Sequence, residues 1–172
     1  MRVAVVVGNP KPRSRTLGVA QATAAAVTAA LGAADATTET TVIDLADYAS
    51  RLFDWDDRDL AELGAAVAAA DLAIFASPTY KATYTGLLKA FLDRYQNNGL
   101  DGVVAIPVMV GAGAVHALAP EVHLRPVLVE LGATVPSRAL FVLESQIDDI
   151  DAVTKAWAAT AASVLGRALG RP

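Results

Sequence analysis

RVAVVVGNPKPRSRTLGVAQATAAAVTAALG, residues 2–32, holds three kinds of chain in succession. Arg2 to Val7 is an unbroken apolar, β-branched run, the pattern of a central parallel strand covered on both faces rather than of a half-exposed strand, which would alternate. Gly8 ends it. The polar loop Asn9 to Arg13 follows, and then Leu17, Ala20, Ala24, Val27 and Leu31 recur at helical spacing until Gly32 stops the pattern. A buried strand, a polar loop and an amphipathic helix in that order make the opening unit of an α/β domain.

The remainder of the chain repeats the alternation. Thr40 to Leu45 predicts a second strand, Asp59 to Ala70 a helix, and Leu72 to Ala76 a short buried strand. Leu87, Leu88, Phe91, Leu92 and Tyr95 predict a helix ended by Asn97, Asn98 and Gly99. Val103 to Val110 predicts a fourth strand. His116 to Leu131 reads as helical, with a late start or a bend required by Pro120 and Pro126. Ala139 to Leu143 predicts the fifth strand, and Ile150, Val153, Trp157, Ala161, Val164 and Ala168 lie along one face of a final helix. With no repeat and no low-complexity linker, residues 1–172 are expected to form a single domain, a doubly wound parallel sheet with helices on both faces.

Composition narrows the function. The 172 residues are 54% hydrophobic and 19% charged, enough for a core of its own, and the net charge of -4 offers no basic stripe to a nucleic acid. The absence of cysteine removes disulfides, thiolate metal sites and cysteine nucleophiles. His116 and His123 stand without carboxylates at ligand spacing, so no metal is expected. No G-x-S-x-G elbow, P-loop or G-x-G-x-x-G fingerprint occurs. Met1 leads straight into a strand, and the uncharged stretch Gly102 to Pro120 is broken by Pro107, Gly111 and Gly113; a cytoplasmic protein with no membrane partner is expected.

In doubly wound sheets the ligand crevice lies at the carboxyl ends of the strands, so the loops after strands one, three and four carry the candidates. The first, Gly8 to Thr16, offers Lys11, Arg13, Ser14, Arg15 and Thr16 at a helix start, a setting for a dianionic phosphomonoester, with Ser14 the expected N-cap. A capped helix with solvated basic residues accounts for the same pattern. The loop after strand three sets Pro78 beside Tyr80 and Tyr84, aromatic wall for a flat heteroaromatic ligand; packing or a subunit interface explains Tyr84 equally well. Trp55 reads either as a cap on the second helix or as a partner contact.

The Gly8-Asn9-Pro10 and Ser14-Arg15-Thr16 segments, together with Ser77-Pro78-Thr79-Tyr80-Lys81-Ala82-Thr83-Tyr84-Thr85-Gly86-Leu87-Leu88-Lys89, resemble the NAD(P)H-dependent FMN reductases of the flavodoxin-like superfamily. The likeness is greatest to the reductases that supply reduced FMN to alkanesulfonate monooxygenases. It extends through Gly111-Ala112-Gly113-Ala114-Val115-His116, Leu124-Arg125-Pro126-Val127-Leu128 and Glu144-Ser145-Gln146-Ile147-Asp148. Asn9 departs from the family's usual Ser, and Ala112-Gly113 from a Gly and a Thr.

That resemblance implies a flavodoxin-like five-stranded parallel sheet of order 2-1-3-4-5. It implies that Asn9, Lys11, Ser14, Arg15 and Thr16 surround the FMN phosphate, that Pro78, Thr79, Tyr80 and Lys81 border the isoalloxazine, and that Gly111, Ala112 and Gly113 lie on its pyrimidine side. Tyr84 and His116 are candidates for the nicotinamide side, although a backbone-bonding helix start explains His116 as well. No residue is assigned a proton-transfer role. The expected activity is hydride transfer from NADPH or NADH to FMN, with reduced flavin passing to a monooxygenase. Alternatives are a protein with tightly bound FMN that reduces quinones, azo compounds or metal oxyanions, and a flavodoxin-type electron carrier. A non-flavin interaction domain is the remaining reading. A homodimer or homotetramer is expected, with the Tyr84 to Tyr95 helix as its natural interface.

Overall fold

A computed structural model describes residues 1–34 and 37–170; residues 35, 36, 171 and 172 of the expected single domain lie outside it. Five strands, β1 (Arg2–Val7), β2 (Glu39–Asp44), β3 (Leu72–Pro78), β4 (Val104–Gly111) and β5 (Leu140–Leu143), form one sheet in the order β2-β1-β3-β4-β5. All pairings are parallel, as the sequence predicts. The helices are α1 (Arg15–Ala30), α2 (Arg58–Ala68), α3 (Gly86–Leu92), α4 (Arg125–Glu130) and α5 (Ile150–Ala168).

The uniform apolarity of β1 has the expected cause: Val3 to Val7 are all buried because helices cover both faces. On one face Val5, Val7, Ile74 and Ile106 pack beneath α1 and α5 through Val19, Val27, Ala161 and Leu165. On the other, Val6, Phe75 and Met109 meet Leu60, Val67, Leu88, Phe91 and Leu128. Each cluster removes a contiguous apolar surface from water, the main favourable term in holding the layers together.

Four details differ from the sequence reading. β3 runs two residues further, to Pro78, because Ser77 and Pro78 pair with Met109 and Val110. α3 stops at Leu92; beyond it Tyr95 turns back, meeting Phe91 edge-on at 5.8 Å and donating its hydroxyl to the Gly64 carbonyl at 3.1 Å. Leu88, Phe91 and Leu92 are thereby spent on the chain's own core, and the apolar face expected at a subunit interface points inward. The segment after β4 divides into a short 3₁₀ turn (Ala114–His116), a π-helical turn (Pro120–Leu124) and α4, which accommodates both prolines.

Among the described residues no helix is long and apolar enough to cross a membrane. Most of the stretch from Gly102 to Pro120 is accounted for by buried β4 and the turns that follow it.

Candidate functional site

The loop from β1 to α1 is braced from within. Asn9 is buried, and its amide is divided between two neighbours: Oδ1 accepts the Lys11 N–H at 2.9 Å and Nδ2 donates to Thr16 Oγ1 at 3.0 Å. Arg13 takes a left-handed backbone, φ 50°, and donates its N–H to Asp44 Oδ2 at the end of β2, 2.9 Å away. Ser14 is the N-cap, as expected, accepting the Leu17 N–H on its side-chain oxygen. Both hydroxyl oxygens, of Ser14 and Thr16, accept in these bonds, which leaves their protons for a ligand.

Gly8 allows the second loop to reach the first. A Cβ there would stand 2.4 Å from Leu88 Cβ, so the start of α3 lies directly against the end of β1. The contact is tied by Thr85, which caps α3 through the Leu88 N–H and donates its hydroxyl to the Gly8 carbonyl. Ser77 Oγ accepts the Thr85 N–H at 3.0 Å. Between Pro78 and Thr85 the chain makes a tight hairpin in which Tyr80 and Thr83 exchange backbone hydrogen bonds around Lys81 and Ala82, both left-handed at φ 51° and 66°.

These loops enclose a cleft of ≈ 170 Å³ at the carboxyl edge of the sheet. Asn9, Lys11, Ser14, Arg15 and Thr16 form one wall, Pro78, Tyr80 and Val110 the other, and Glu144 closes the side beyond β5. Two cations, two hydroxyls and the start of α1 thus converge on one space, a donor set suited to a phosphate dianion. Glu144 is the acid in this lining, and its Oε2 lies 2.9 Å from Arg15 Nη2.

Other residues singled out in the sequence stand at or beyond the margin. Thr79 Oγ1 is buried and has no hydrogen-bond partner; it lies where a Cβ on Gly111 would come within 3.2 Å, beside the Phe141 ring. Thr79 follows the cleft residue Pro78 and precedes Tyr80, so this unpartnered hydroxyl stands next to the cleft wall. Lys81 and Ala112 are exposed, and Gly113 precedes and His116 ends the 3₁₀ turn after β4, outside the cleft lining. Tyr84 packs on the core, and burial raises its hydroxyl pKa. Trp55 lies beneath the Arg94 guanidinium, 5.4 Å from carbon to ring centroid, in a separate groove between α2 and Tyr95.

Sequence reasoning missed Asp44, Val110 and Glu144. Asp44 ends β2 and Glu144 directly follows β5, both at the edge where ligands bind, and that position was the available signal.

The family model for NADPH-dependent FMN reductase matches residues 1–148. An FMN reductase (NADPH) of Escherichia coli is 40% identical over 80 residues, 46% of this chain and 42% of that protein. The NADH-dependent FMN reductase SfnF of Pseudomonas putida is 34% identical over 131 residues, 73% of this chain and 68% of its own length. Among solved structures, the apo form of the NADH:FMN oxidoreductase EMOB superposes with a TM-score of 0.77 at 32% identity, covering 98% of this chain and 86% of that one. The matched segment thus spans under half of the Escherichia coli relative.

Proposed function

This chain belongs to the NADPH-dependent FMN reductase family, and on that footing we propose that it transfers a hydride from NADPH or NADH to FMN, acting as one domain over residues 1–172. The observation that carries the reading is the convergence of Lys11, Ser14, Arg15 and Thr16 on one cleft with Pro78 and Tyr80. When bound, FMN supplies the hydride-accepting ring.

The chain's own residues then have separable tasks. Lys11 and Arg15 neutralise the phosphate while the Ser14 and Thr16 hydroxyls donate to it. Asn9 fixes the loop that presents them. Pro78, Thr79, Tyr80 and Lys81 border the ring, and Gly111, Ala112 and Gly113 lie on its pyrimidine side. Tyr80, 51% exposed, is free to shape the nicotinamide face, and Tyr84 and His116 are the further candidates for that side. None of these residues needs to move a proton for hydride transfer, so catalysis here is positioning and electrostatics.

Reduced FMN leaves for a flavin-dependent monooxygenase in this proposal, and the chain works as a homodimer or homotetramer. Support for assembly comes from Val115, Leu118, Val122 and Val129, large apolar side chains exposed along the segment after β4.

The test is nicotinamide oxidation by the purified protein, with NADPH and with NADH, each with and without added FMN. A colourless protein whose rate rises and saturates with FMN is expected. A yellow protein that oxidises nicotinamide only with a quinone or azo dye would replace diffusible flavin with bound flavin, and no oxidation under any condition would end both readings.

A further inference from the structure

Glu144 is the residue of the cleft that flavin chemistry does not ask for. It begins the turn after β5, at the edge of the sheet, and crosses the mouth of the cleft to Arg15 at the start of α1. α1 and α5 lie on the same face of the sheet, which brings the two ends together. The carboxylate therefore stands against a cation that the phosphate would also need.

We propose that Glu144 is an affinity-setting residue: it competes with the flavin phosphate for Arg15 and stays beside the bound dianion as a like charge, weakening FMN retention. The proposal rests on the FMN reading above and deepens it, since a flavin that must leave after reduction needs a site that does not hold it tightly. The charges explain the direction. Lys11 and Arg15 together bring two positive charges, and Glu144 cancels one of them before ligand arrives. The pair is also wet, with side chains 64% and 43% exposed, so breaking it costs little and the phosphate can take Arg15 over. The like charge remains within the cleft after that exchange, and its effect is screened by salt.

The experiment is equilibrium binding of oxidised FMN and of riboflavin, which has no phosphate, to the wild-type protein and to Glu144→Gln, followed by quenching of flavin fluorescence at low and high salt. Gln keeps the size of the side chain and one acceptor oxygen for Arg15, and removes the charge. FMN is expected to bind the variant about two- to fivefold more tightly at low salt, the range for an exposed charge interaction. The gain should shrink at high salt, and riboflavin affinity should not change.

Unchanged or weaker FMN binding by the variant overturns the proposal, because Glu144 would then be neutral or would serve to orient Arg15. Equal tightening of FMN and riboflavin also overturns it, by placing the effect away from the phosphate. In either case wild-type FMN binding leaves the FMN reading standing; FMN binding to neither protein overturns both.

Discussion

Gly8 and Ala82 show how single residues hold the two loops in place, and each makes a measurable demand. A methyl group on Gly8 would overlap Leu88 Cβ at 2.4 Å, and Leu88 is itself fully buried, so neither partner can give way without moving α3. Gly8→Ala is expected to cost about 1–3 kcal/mol in urea unfolding, the usual range for overpacking, and a variant as stable as the wild type would contradict the close approach. Ala82 presents the reverse case. It sits left-handed at φ 66° beside a left-handed Lys81, at two positions where a tight hairpin normally takes Asn or Gly. Ala82→Gly should relieve about 1 kcal/mol of backbone strain and raise Tm by about 2–4 °C. A lower Tm would show that the alanine methyl makes a compensating contact. Strain of this kind at a ligand loop is a common accompaniment of function, because the surroundings hold the backbone where the ligand needs it.

At the scale of the element, the entry to β5 depends on a pair from the π-helical turn and α4. The Arg125 guanidinium bonds Glu121 and also donates to the Val135 and Ser137 carbonyls, while Glu121 Oε1 accepts the Ala139 N–H at 2.7 Å. Burial pushes the Glu121 carboxyl up, but the bonds from Arg125 and Ala139, with the charges of Arg125 and Arg138, outweigh it and hold the carboxyl below its ordinary value. A depressed folded value means that the stabilisation is present above the ordinary carboxyl value of 4.5 and is lost as the pH falls through the folded one. Wild type should therefore lose stability more steeply than Glu121→Gln in acid unfolding followed by circular dichroism. Parallel acid profiles would contradict the arrangement.

The elements also show what a reader of the sequence could and could not see. Strand identity was legible because central parallel strands buried on both faces leave unbroken runs such as RVAVVV and LAIFA, and because helices between them carry a 3.6-residue period; the order of the strands came only from the family resemblance. Pro107 is the instructive exception within a central strand. The Ala105 N–H points toward the β5 side, to the Thr134 carbonyl, so Pro107 two residues on faces the same side. The ladder with β5 begins only at Val108 and Leu140, and the missing N–H falls in the gap. Nothing local announces that. The cleft was half legible for a similar reason. The wall from Asn9 to Thr16 is one contiguous loop and could be read as a unit, whereas Asp44 and Glu144 join it from strands far away in the chain, and only the sheet order brings them there.

At the scale of the whole molecule, half of the large apolar side chains left exposed among the described residues fall within one segment. Val115, Leu118, Val122 and Val129 are exposed on the segment after β4, while the helix first expected at an interface has buried its own large side chains. A dimer or tetramer through that surface should appear in light scattering, and Val122→Glu should shift it toward the monomer; a wild-type monomer at working concentration would remove the proposal. The sheet, with its helices on both faces, presents two loops at one edge, and the proposed function requires this edge to grip a flavin by its phosphate. The most direct measurement is a fluorescence titration of the wild type and of the Lys11→Ala/Arg15→Ala double variant with FMN and with riboflavin. Loss of two cations at a phosphate should weaken FMN by about tenfold or more and leave riboflavin unaffected. Equal FMN affinities for the two proteins would contradict the claim.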